Sequence, residues 1–86
     1  MKLTEEAVYR AINYTETAQQ DLLSNLEYMK SSTTAHLVEW HDTHVERFLE
    51  QLELFDSYVR NTVQNMEKVK DHLNQILNFM QTYNNM

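Results

Sequence analysis

Neither glycine nor proline occurs in the 86 residues of this chain. Hairpin turns and phosphate-binding loops depend on glycine for positive φ and on proline for fixed φ. A chain without either is restricted to helices with very few turns. Cysteine is absent too, which removes disulfide scaffolds and thiolate zinc sites. The length allows one small domain, taken as residues 1–86, near the size where a single core is barely sufficient.

Hydrophobic spacing is clearest in the second half. Stepping by three and four from Val45 gives Val45, Phe48, Leu52, Phe55, Val59, Thr62, Met66, Val69, Leu73, Ile76, Met80 and Tyr83. Only Thr62 in that set is neither apolar nor aromatic, so the pattern predicts one long helix with a coiled-coil-like seam. From Thr43 to Tyr83 such a helix is about 60 Å long. Leu49, Val63 and Leu77 widen the stripe. Truncating Leu52 or Phe55 to alanine is expected to cost ~2–5 kcal/mol if both lie in the core.

The first half carries a weaker version of the same spacing. Val8, Ile12, Thr15, Gln19, Leu22, Leu26 and Met29 alternate in the same way, with Ala11 and Ala18 beside the polar interruptions. Thr4 reads as a helix N-cap, followed by Glu5 and Glu6 in the first turn. The break between the helices falls within 31–43. Ser31-Ser32-Thr33-Thr34 is one candidate, and Glu39-Trp40-His41-Asp42, with Asp42 capping the second helix, is the other.

Two helices and one short connection make an antiparallel helix-turn-helix hairpin, an all-α fold. Each helix carries more apolar surface than one partner covers. The second helix is also expected to outrun the first, leaving Leu73, Ile76, Met80 and Tyr83 partly unmatched. Pairing two hairpins into a four-helix bundle would cover that surface.

The net charge of −6 argues against nucleic-acid and anionic-membrane partners. Six acids, Glu39, Asp42, Glu46, Glu50, Glu53 and Asp56, fall between residues 39 and 56, where only Arg47 is basic. Such a stripe is ordinarily the solvated face of a helix. Its alternative reading is an acidic regulator or inhibitor of phage or plasmid type, occupying a basic site on a nucleic-acid enzyme. No apolar run reads as a cleaved signal peptide or a membrane span.

Nothing in the chain supplies a nucleophile with its base or a phosphate loop, so no enzyme and no cofactor is expected. His36, His41, His44 and His72 do not converge in a hairpin, and no metal site is expected. Met29, Met66 and Met80 read as core or adaptable interface. Arg10, Arg47 and Arg60 read as solvated flanks or interhelical ion pairs.

The stretch Glu39-Trp40-His41-Asp42-Thr43-His44-Val45-Glu46-Arg47-Phe48 places a lone tryptophan between two helices. With its spacing to Phe48, Leu52 and Phe55 and the long Asn/Gln/Lys-rich helix beyond, the whole chain resembles the WXG family. These are the early-secreted-antigen-like helical hairpins of type VII secretion. The resemblance places the turn near residues 38–43 and makes Trp40, His41 and Asp42 the motif. It implies a secreted protein, or a chaperone of a larger LXG-type effector. Its partner would be another hairpin or the helical N-terminal region of a secreted toxin. Such a protein is cytoplasmic before export and secreted without a cleaved signal. The partner-binding seam would be Val45, Phe48, Leu52, Phe55, Val59, Met66, Val69, Leu73, Ile76, Met80 and Tyr83. In the family, Trp40 would contribute to a surface read by the secretion ATPase. Asp42 stands where the family has Gly, and no Tyr or Phe is followed four residues later by an acid, as in the family's C-terminal export signal.

Overall fold

Thr4 and Asp42 set where two helices begin. The computed structural model describes residues 3–37, 39 and 42–84. The Thr4 hydroxyl accepts from the backbone N–H of Ala7 at 3.1 Å, and its carbonyl accepts from Val8 at 3.2 Å. Helix α1 then runs Glu5–Leu37, 33 residues. The Asp42 carboxylate accepts from the N–H of His44 at 2.7 Å, its carbonyl accepts from Glu46 at 3.0 Å, and helix α2 runs Thr43–Asn84, 42 residues. Each cap satisfies backbone donors that the first turn cannot pair internally. Among the described residues none has positive φ, so Asp42 serves as a cap and not as a left-handed turn residue.

Ser31–Thr34 stays helical. The propensity deficit of such residues is only a few tenths of a kcal/mol each. Lys30, just before them, is tied across to α2, and Ser32, Thr33 and Leu37 are half-buried against it. Packing therefore carries α1 to Leu37, and the break falls in 38–42, the later of the two candidates.

The helices lie antiparallel as a hairpin 67 Å long and 19 × 16 Å across. Lys30 meets Asp56 and Glu16 meets Lys70, and in both pairs the residue numbers add to 86. Leu37 is thus level with about residue 49, so the extra length of α2 lies at the turn. At the open end the helices stay paired. Gln81 Nε2 donates to the Tyr9 hydroxyl at 3.2 Å, Asn84 Nδ2 donates to Glu5 at 3.0 Å, and Leu77 is buried between them. The expected overhang at Leu73, Ile76, Met80 and Tyr83 does not occur. Leu73 and Met80 are half-buried on α1, while Ile76 and Tyr83 are exposed because they turn sideways.

The core is one thin seam. Val8 and Leu26 are almost fully buried from α1, facing Leu52, Val59 and Leu77 from α2, with Gln19 and Asp56 buried among them. One line of the expected α2 seam, Val45, Leu52, Val59, Met66, Leu73 and Met80, is buried or half-buried. The residues interleaved with it on the α1 side are Leu49, Asp56, Val63, Lys70 and Leu77. Phe48, Phe55, Val69, Ile76 and Tyr83 are exposed instead.

A candidate interaction surface

The two long flanks of the hairpin differ in chemistry. On one, side chains of α1 and α2 bond across the seam. Asp56 accepts from Lys30 Nζ at 2.9 Å and from Arg60 Nε at 3.0 Å. Lys30 also reaches Glu53 at 3.3 Å, and Arg60 pairs with Glu27. A second cluster lies toward the open end. Gln19 Nε2 donates to the Val63 carbonyl at 3.0 Å and to Glu67 at 2.9 Å. Lys70 bonds Glu67 at 2.8 Å and approaches Glu16 at 3.9 Å. These polar crossings tie the register of one helix to the other, because a slip along the seam would strand a buried amide or carboxylate.

Charge follows this geometry. The Arg60 guanidinium, and then the Lys30 ammonium, hold the Asp56 carboxyl below its ordinary range. Lys70, helped by Gln19, does the same for Glu67. Carboxyls depressed in the folded state stabilise it at neutral pH, and that contribution is lost as pH falls through their folded values. Helicity is therefore expected to hold from neutrality to about pH 4 and then decline with acid, with Asp56→Asn flattening that decline. Circular dichroism against pH checks this. An unchanged acid limb in Asp56→Asn would remove the carboxylate from the account.

Among the described residues the other flank carries no such crossings. There Met29, Phe48, Gln51, Leu52 and Phe55 line an open groove of about 290 Å³. It continues into a second of about 200 Å³ lined by Leu22, Asn25, Leu26, Met29, Phe55 and Val59. Met29 and Phe55 belong to both. The row extends along α2 through the exposed Val69, Ile76 and Tyr83, and Tyr83 stacks on Phe79 at 6.4 Å. A third hollow, about 360 Å³, lies on the first turns of α1 against Ala7, Arg10, Ala11 and Tyr14. Its arginine is already paired with Glu6 at 2.7 Å.

The sequence-derived seam is thus two surfaces. Val45, Leu52, Val59, Met66, Leu73 and Met80 pack on α1, and Phe48, Phe55, Val69, Ile76 and Tyr83 form the open flank. Of the motif, Asp42 is the cap of α2; Trp40 and His41 lie outside the described residues. The acidic stripe is divided. Glu39, Asp42, Glu46 and Glu50 are exposed, whereas Glu53 and Asp56 are engaged by Lys30. His36, His44 and His72 are exposed. Among the described residues no three His, Asp or Glu side chains group as metal ligands. No described helix is long and apolar enough to cross a membrane.

Sequence reasoning missed Asp56 and Lys70 as seam residues. The available signal was their spacing: Asp56 lies seven residues from Leu49 and from Val63, and Lys70 seven from Val63 and from Leu77, so both continue that apolar line. No protein-family model matches this chain, and no curated protein or solved structure matches it.

Proposed function

We propose that the hairpin is a protein–protein interaction module without catalytic function, which buries its open flank against a second helical hairpin to complete a four-helix bundle. In this reading it serves type VII export, as a WXG-like secreted protein or as the escort of an LXG-type effector, with Trp40, His41 and Asp42 at the turn as its motif. The observation that carries the pairing is the uncharged apolar flank running from Phe48 to Tyr83 beside Leu22 and Met29. Contiguous exposed apolar surface on this scale marks an interaction site.

The surface area supports the same reading. The chain exposes 7082 Å², whereas a compact monomer of 10.3 kDa exposes about 5,400 Å². The export assignment rests on the sequence resemblance, supported by a hairpin fold whose break falls where the resemblance puts it. The inhibitor alternative has less to draw on, because Asp56, one of its six acids, is buried between Lys30 and Arg60.

Export is tested in a host that carries the gene. The culture medium is expected to lose this chain, or the protein that co-purifies with it, when the type VII ATPase is deleted. Unchanged levels of both overturn the export reading. Pairing is tested separately by Phe55→Glu with Ile76→Glu, which is expected to release every complex the chain forms; complexes of unchanged mass overturn it.

A further inference from the structure

Burial is uneven along the length of the hairpin. Near the connection Leu26, Leu52 and Val59 are buried, with Asp56 among them. At the open end Val8 and Leu77 are buried. Between these two clusters the seam thins. Among the described residues, none from 60 to 76 of α2 is buried, and none from 9 to 18 of α1. That stretch of α2 is about 25 Å long. Ala11, Ile12, Thr15 and Ala18 of α1 are half-buried along it, and three of those four bring little apolar area to the contact.

One buried side chain bridges the helices at the inner edge of the thin stretch. Gln19 is 6% exposed and donates to the Val63 carbonyl and to Glu67. Outward of it, Lys70 approaches Glu16 at 3.9 Å. Two exposed hydrogen bonds follow, Gln81 to Tyr9 and Asn84 to Glu5. Inward of it lie the ion pairs of Asp56 with Lys30 and Arg60 and the larger of the two apolar clusters.

We propose that the hairpin has a hinge at Gln19, about which the open half parts as one unit while the half next to the connection stays shut. Val8 and Leu77 hold the open half closed. Once they separate, no buried side chain holds residues 9–18 to α2, so parting runs back to Gln19. It stops there, because the next step breaks both Gln19 hydrogen bonds and then takes Leu26, Leu52 and Val59 apart. The freed part of α1, residues 5–18, is near the length of ~12–15 residues at which an isolated helix is marginal in water. Its amides therefore exchange from the parted state. Such an opening is sub-global and cooperative, distinct from the fraying of a last helical turn. It bares the inner faces of both arms together, Val8 and Ile12 on one and Leu73 and Leu77 on the other, surface that the closed hairpin withholds. This motion is independent of whatever binds the open flank.

Native-state hydrogen exchange on the full chain reads the hinge residue by residue. Amides 9–18 and 70–80 are expected to share one protection level, at least about tenfold below that of amides 23–30 and 52–60. The change is expected as a step at Gln19. Leu52→Val is expected to lower protection in 23–30 and 52–60 and to leave the open half as it was, because the open half parts without disturbing Leu52. Val8→Ala is expected to lower protection in all four segments, since the buried valine stabilises the closed hairpin against both the partial and the complete opening.

A gradient of protection rising steadily from the open end overturns the proposal, since plain fraying gives that pattern. A single level through residues 9–30 overturns it as well. So does an equal fall in all four segments for Leu52→Val, which means that the hairpin opens only as a whole. No fall in 52–60 for that variant, or a fall confined to 23–30 and 52–60 for Val8→Ala, also overturns it. If Val8→Ala does not fold, the parent profile and Leu52→Val decide between a hinge and simple fraying.

Discussion

Leu52→Ala is expected to lower the unfolding free energy by about 2–5 kcal/mol, whereas Phe55→Ala is expected to cost less than half of that in the separated hairpin. The sequence pattern gives the two residues equal standing, but Leu52 is 7% exposed and Phe55 is 48% exposed. Leu52 fills the seam between α1 and α2, and its removal leaves a cavity that two stiff helices close poorly. Phe55 has one side on the groove and the other in solvent. A chain of this length is stable by roughly 4–13 kcal/mol, so the Leu52 substitution removes a large share. Urea melts followed by circular dichroism at low protein concentration separate the two. Under the proposed pairing, should the partner be a second copy, raising the concentration is expected to bring out the Phe55 effect, because Phe55 then contributes through association as well. Equal, concentration-independent shifts would put Phe55 inside the seam and remove the open flank.

Asp56→Ala is the other large effect. Its carboxylate is buried between Lys30 and Arg60, and without it two cations face each other across the seam with only Glu53 and Glu27 to hold them. The thermal midpoint is expected to fall by several degrees. Lys30→Leu combined with Asp56→Leu is expected to recover the parent midpoint or exceed it, since an apolar pair needs no desolvation of charge. A parent-like midpoint for Asp56→Ala alone would show that the cluster orders the helices without stabilising them.

Much of the fold was legible because it depends on local chemistry. Thr4 and Asp42 are good caps by residue type, and both cap. The lack of glycine and proline leaves nothing to interrupt α1 or α2, and both run unbroken. The inner line through Leu52, Val59 and Met66 also followed from spacing alone. What periodicity could not decide was the line beside it. Hydrophobicity favoured Phe48, Phe55 and Val69 over Leu49, Asp56 and Lys70, and packing chose the second set. Asp56 belongs inside because Lys30 stands opposite, 26 residues away, and Lys70 because Glu16 does, on the other helix. A helical period along one segment contains no information about a partner on the other. For the same reason the position of the extra length of α2 depended on those cross-seam pairs.

The antiparallel register also shapes how the chain reaches this state. Lys30 and Asp56 close a loop of 26 residues and Glu5 and Asn84 one of 79, yet tripling a loop adds only about 1 kcal/mol of closure entropy. Closing the outer crossings therefore costs little more than closing the inner ones. The charged cluster nearest the connection is the first crossing able to reject a misaligned pairing. Among the described residues, the side-chain hydrogen bond between the helices that closes the shortest loop joins a cation to a carboxylate.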